Sequence, residues 1–236
     1  MQQADSSAPD ITQLLRSIAE QLKLPLTTIA RQADLGLLTG KPTPADMQSI
    51  GIHATTALQL VDSYLLGLHL SQEQTLLTLE PVSVSSMLTE AAHELSALAK
   101  QYEVDIQLHI AGKYAPVMAH RSALKSALLS LGSTMLEYGP AQGGSTLTLA
   151  VHRTPQGVVT GVYGDYQTLS TAGWRKALTL QGKAAQPLRT FGGNGAGLFV
   201  ADAILQAMAT RLRVGKYLKK QGFATTLQQS QQLSIV

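Results

Sequence analysis

The run GGNGAGL, residues 192–198, leads straight into AGLFVADAILQAMATRL, residues 196–212, and this junction of a glycine-rich loop with an apolar helix decides how the C-terminal part of the chain reads. Glycines let a backbone approach an anion closely, and the free N–H groups at a helix N-terminus face it. The same glycines also suit a tight turn into a packed helix, and the run alone does not separate the two uses. It is not the dinucleotide fingerprint, because Leu198 stands where that pattern needs its third glycine. Nor is there a Walker loop: in LGLLTGKPT, Leu35 replaces the first glycine and Pro42 the serine or threonine.

Before the glycine run lies a stretch without periodicity, Tyr166 to Thr190, and before that strands and helices alternate. EPVSVSS (80–86) reads as a short strand ending at a serine cap, MLTEAAHELSALAKQY (87–102) as a helix, and VDIQLHI (104–110) as a period-two strand. HRSALKSALLSLGSTMLEYG (120–139) is helical, and STLTLAVHR with GVVTGVYGD predicts a hairpin around TPQG (154–157). After the helix, RVGKYL and FATTLQQS predict a closing hairpin around KKQG (219–222). That order predicts an α/β sandwich with helices on one face.

Residues 1–75 read differently, as two amphipathic helices and a turn, so the chain divides into 1–75 and 76–236. Behind a cap at Asp10, the residues Ile11, Leu14, Leu15, Ile18, Leu22, Leu26 and Ile29 form one apolar stripe. Pro25 removes a hydrogen bond from the middle of that helix and predicts a bend there. The segment TGKPTPAD restarts the helix, with Thr43 as cap, Pro44 at the first position and Asp46 three residues after the cap. A second stripe runs Met47, Ile50, Ala54, Ala57, Leu58, Val61, Leu65 and Leu68. Two helices cannot bury two such stripes alone, so they pack on the rest of the chain or on a second copy, and the reading adopted is the second copy, a four-helix dimer.

Composition narrows the chemistry. The 236 residues include no cysteine, which removes disulfides, thiolate metal sites and a cysteine nucleophile. Charged residues are only 14%, and 18 Lys+Arg against 15 Asp+Glu leave +3, a balance that does not imply nucleic-acid binding. Arg211, Arg213, Lys216, Lys219 and Lys220 in the last hairpin read as a solvated edge that discourages strand pairing. No window approaches a membrane span, and the chain is expected to be cytoplasmic. The six histidines lack metal-ligand spacing; HELSA, beginning at His93, fails the zinc motif because Ala97 replaces the second histidine. His93 reads as a solvated helix residue, His53 and His69 lie in the second helix, and His109, His120 and His152 are isolated.

The order of parts resembles the core of a sensor histidine kinase, a helical dimerisation and phosphotransfer hairpin followed by a GHKL (Bergerat-type) ATP-binding α/β sandwich, an α+β fold overall. AEQLKLPLTTI (19–29) resembles the family's phosphoacceptor box, S-H-E-L-R-x-P-L, with Leu22, Lys23, Pro25 and Leu26 matching. GGNGAGL matches the glycine box G-x-G-x-G-L through Gly193, Gly195, Gly197 and Leu198, and the stretch before it falls where the family has its ATP lid. GFATTLQQS is similar to the family's last strand.

Set against the family's boxes, several positions differ. Counting back from Pro25, the phosphoacceptor histidine falls on Glu20, and a carboxylate offers no imidazole nitrogen and repels an approaching phosphate. In the N-box, Thr134 stands at the asparagine that holds Mg²⁺ and Glu137 at the basic residue beside the phosphates, changes that weaken MgATP binding. The adenine-binding aspartate of the G1 box has its nearest counterpart in Asp165, with Gln167 at the first glycine; the alternative is a plain strand-ending aspartate. The resemblance thus implies a pseudokinase or adaptor with no catalytic residue at Glu20 or Thr134. It implies weak ATP or ADP binding at most, through Asp165 and the glycine box, with Mg²⁺ disfavoured. Its partners would be a second copy and a response regulator or another kinase. The alternative is an active kinase or phosphotransferase with a non-standard acceptor such as His53.

Overall fold

A computed structural model of the chain describes residues 11–73, 76–137, 145–165 and 196–230. Helices α1 (Ile11–Thr39) and α2 (Pro44–Glu73) form the expected hairpin. The cap between them is reciprocal: Asp46 N donates to Thr43 Oγ1 at 3.2 Å, while Thr43 N and Oγ1 donate to Asp46 Oδ2 at 2.9 and 2.6 Å. The Thr43 hydroxyl and backbone hold the Asp46 carboxyl below its usual value. Helix α1 runs on as one element through Pro25, which is buried; its cap at Asp10 falls outside the described residues.

The remaining elements are β1 (Glu80–Val82), α3 (Val84–Gln101), β2 (Val104–Ile110), β3 (Val117–Ala119), α4 (Arg121–Glu137), β4 (Ser145–Thr154), β5 (Gly157–Gly164), α5 (Ala196–Ala207), β6 (Arg213–Tyr217) and β7 (Lys220–Leu227). Ser83 caps α3, its side chain accepting from Ser86 N at 3.3 Å. The main sheet has five strands in the order β2-β4-β5-β7-β6, with β2 and β4 parallel and the other pairs antiparallel. Strand β3 was not foreseen: three residues are too few for a period, and it exists by pairing with β1 and by bridging Val117 to Gln229. The closing turn also differs from KKQG. It is the pair Leu218 and Lys219, because Lys220 and Gln221 are drawn into the ladder opposite Tyr217 and Lys216.

One face of the sheet carries the main core, where Leu147, Leu149, Val162 and Phe223 meet Met87 and Leu88 of α3, Leu124 and Met135 of α4, and Val200 and Ile204 of α5. The same core continues into α2 through Leu60, Tyr64 and Leu70. So α2 buries one flank on the rest of the chain, the option that the dimer reading had set aside. The approach is close at Gly67, where a Cβ would lie 3.1 Å from Val200 Cα. Polar ties flank it: Gln59 Nε2 donates to Glu94 Oε2 at 3.1 Å, and Lys125 Nζ donates to Glu94 Oε1 at 3.0 Å, linking α2, α3 and α4.

The opposite face has a small core of its own, made by Ala150, Val159, Tyr163 and Ala224 under Tyr217. The signal for it is in β5, where Val158 and Val162 alternate with Val159 and Tyr163, so both faces are apolar. The Tyr163 ring lies beside Gly215, and Tyr217 stacks on His152 at 5.4 Å. Burial pushes the Tyr163 phenol from 10.0 up to about 12, Arg213 pulling it down and Tyr217 adding to the rise, and its hydroxyl has no hydrogen-bond partner among the described residues. The native state therefore holds this proton more tightly than the unfolded chain does. The corresponding stability, about 3 kcal/mol, is present below pH 10 and lost as pH rises to 12. Tyr163→Phe removes the unpartnered hydroxyl, so it is expected to be neutral or to stabilise by up to ~1 kcal/mol. Urea denaturation of both proteins across that alkaline window checks this, the variant showing the flatter profile.

Candidate functional site

Helix α4 presents Ser130, Ser133 and Thr134 to the interior, and all three are buried. Against them sits the first turn of α5, with Gly197 and Leu198 buried as well. A Cβ on Gly197 would lie 2.0 Å from Thr134 Oγ1 and 2.7 Å from the Ser130 carbonyl oxygen. Gly197 is thus required by close packing of two helices. Thr134 is fully buried, and its Oγ1 makes no hydrogen bond among the described residues. Gly193 and Gly195 lie outside the described residues, as does the side chain of Glu137.

Asp165 follows directly on the end of β5, whose last residue, Gly164, pairs with Gln221. Lys220 Nζ donates to Thr148 Oγ1 at 2.7 Å and lies 3.4 Å from Gln107 Oε1; Thr148 pairs with Tyr163, on the face away from the helices. Burial draws the Lys220 ammonium below its usual value, and the charge of Asp165 opposes this. Asp165 is thus near enough to Lys220 for its charge to act on that ammonium. The residue of β5 on the helix side at this end is Gly164.

Among the histidines, His53 is buried on α2 under Gln101, whose Nε2 lies 2.9 Å from His53 Nδ1, and burial lowers its basicity. His93 is exposed, as a solvated helix residue should be, and its neighbour Glu94 makes the structural tie. His120 ends the turn into α4, its Nδ1 accepting from Ala123 N at 3.4 Å. His109 and His152 flank Tyr217. Glu20 lies within α1, five residues before Pro25. No group of three potential ligands gathers as a metal site among the described residues.

The hairpin has a second feature. Beside the flank of α2 buried on the chain, Met47, Leu58 and Leu65 are 57, 65 and 60% exposed. With Gly51, Ala54, Val61 and Leu68 they follow a heptad spacing. On α1, Leu26 and Leu37 are 53 and 81% exposed.

No family model matches the sequence, and no curated protein does. Solved structures do match in shape. The Acinetobacter baumannii histidine kinase AdeS is 17% identical, with 89% of this chain and 97% of that one aligned at a TM-score of 0.54. The catalytic domain of the histidine kinase ThkA is 12% identical over 65% of this chain and 97% of its own, at 0.52. A structure titled as a bacterial phosphotransferase is 10% identical over 93% and 98%, at 0.51. The chain has the α+β fold of a sensor histidine kinase core. No helix among the described residues is long and apolar enough to cross a membrane.

Proposed function

We propose that this chain is a cytoplasmic two-component signalling scaffold of histidine-kinase fold, which passes no phosphoryl group and works by holding a response regulator or a partner kinase against its helical hairpin. On this reading residues 1–75 are the dimerisation segment and 76–236 a unit derived from an ATP-binding domain. The observation that carries the reading is the contact of Thr134 with Gly197. Where the resemblance calls for an asparagine ligating Mg²⁺, a neutral alcohol is pressed against the glycine it should share a pocket with. Mg²⁺ demands near-octahedral oxygen ligands, and one buried hydroxyl does not supply them. On this reading Asp165 acts as a strand-ending partner of Lys220, whose ammonium its charge favours, rather than as an adenine ligand. On this reading the described residues do not supply a magnesium-nucleotide site.

The exposed Met47, Leu58 and Leu65 of α2, at heptad spacing, and the exposed leucines of α1 support a second copy of the chain as the dimer partner. Such a face is too extended to be left in water, and two hairpins would close it as a four-helix bundle. A phosphotransferase role with His53 as acceptor is disfavoured by the burial of that ring. Calorimetric titration with ATP and ADP, with and without Mg²⁺, tests the reading. The expected result is no saturable heat below millimolar nucleotide and no gain from Mg²⁺; micromolar, Mg²⁺-dependent binding would overturn it.

A further inference from the structure

Five of the chain's 18 lysines and arginines fall within residues 211–220, which contain no acid. Arg211, Arg213, Lys216 and Lys219 are exposed, whereas Lys220 turns inward onto Thr148 and Gln107. Strand β6 is a sheet edge, and basic residues there discourage pairing with another chain. That accounts for Arg213 and Lys216 but not for the tip. Leu218, the first residue of the two-residue turn, has φ 54° and is 75% exposed. A bulky residue enters the left-handed region at a cost, and glycine or asparagine is the usual choice at such a turn. Here an apolar side chain is instead held in water at a convex apex, with Lys216 two residues before it and Lys219 next to it.

We propose that the β6–β7 tip is a reversible anchor for an anionic lipid bilayer. Leu218 enters the boundary between headgroups and acyl chains, while Lys216 and Lys219, with Arg211 and Arg213 behind them, face acidic headgroups. A single convex residue offers far less than the ~800 Å² per partner of a stable protein interface. A bilayer is soft and closes around such a tip. Charge complementarity supplies the rest, each lysine or arginine near an anionic membrane contributing about fivefold in partitioning. Nucleobases find no stacking platform here, because the Tyr217 ring is packed on His152 and Tyr163. This anchor goes beyond the scaffold reading and does not depend on it.

The test is sedimentation of the full chain with vesicles of equal parts phosphatidylcholine and phosphatidylglycerol, and with phosphatidylcholine alone. The chain is expected to partition onto the anionic vesicles only, and less as salt rises. Leu218→Gly should lower partitioning about tenfold, and Lys216→Gln with Lys219→Gln about 25-fold. Glycine suits the backbone angle at 218, so that variant should melt no lower than its parent, and its lost binding cannot be a folding failure. Soluble glycerophosphoglycerol should not compete, since it offers the phosphate without hydrocarbon. The proposal is overturned if the parent ignores anionic vesicles at physiological salt, or if Leu218→Gly partitions as well as the parent. Capture of DNA or an acidic polypeptide more tightly than vesicles, and equally by parent and Leu218→Gly, would also overturn it.

Discussion

Leu58→Glu with Leu65→Glu is expected to convert the protein from dimer to monomer while leaving its fold intact. Both side chains are exposed in the single chain, so within one copy the substitutions bury no charge and remove no packing. In a two-fold bundle each leucine is buried twice, and at about 1.5–3 kcal/mol per buried leucine the interface loses at least ~6 kcal/mol, or about 10⁴-fold in dissociation constant. Glutamates facing their symmetry mates add repulsion. Sedimentation velocity reads the mass directly, and circular dichroism checks that the helices persist. A monomeric parent, or a variant still dimeric at low micromolar concentration, would show that the heptad face of α2 has another occupant.

The second large effect is expected at Gly197. Adding one methyl there forces a Cβ against Thr134 Oγ1 and the Ser130 carbonyl, the latter a backbone atom that cannot rotate away. Gly197→Ala should therefore cost about 3 kcal/mol or more, through separation of α4 from α5 in the middle of the core. Pairing it with Thr134→Ala should restore only part of the loss, because the Ser130 carbonyl remains. Thr134→Ala alone, which deletes an unpartnered hydroxyl, should stay within about 1 kcal/mol of the parent. Thr134→Asn, the residue the resemblance calls for, should destabilise by about 1–3 kcal/mol through overpacking and should not bring back Mg²⁺-dependent nucleotide binding. Chemical denaturation midpoints of the four variants measure these differences, and a Gly197→Ala protein as stable as its parent would mean that the two helices are not in tight contact.

How much of this was legible beforehand depended on the range of the interaction involved. The cap made by Thr43 and Asp46 and the strand at β2 are set by residues within a few positions of one another and appeared where the local chemistry put them. The serine cap of α3, by contrast, falls at Ser83, before the end of EPVSVSS, because the helix already begins at Val84. The surroundings of Asp165 are a different matter. Its charge acts on Lys220, and the register that pairs Gly164 with Gln221 is what brings the two near each other. A motif count that aligns Asp165 with a family aspartate carries no information about that register. Helix α2 shows the same limit: the stripe read from the sequence omits Leu60 and Tyr64, which are sunk into the core, while its own Leu58 and Leu65 are left outside. Which partner each pair meets is decided by elements more than a hundred residues away, as the approach of Gly67 to Val200 illustrates. The reach of Glu94 to Gln59 and Lys125 and the pocketing of His53 under Gln101 likewise depend on helices that only the fold brings side by side.

The central claim is that a histidine-kinase fold here passes no phosphate, and incubation of the purified chain with Mg²⁺ and γ-labelled ATP tests it most directly. No acid-labile, alkali-stable label should appear on the protein, and none should reach it from a phosphorylated response regulator or partner kinase. Stoichiometric acid-labile label on any histidine of this chain would contradict the account.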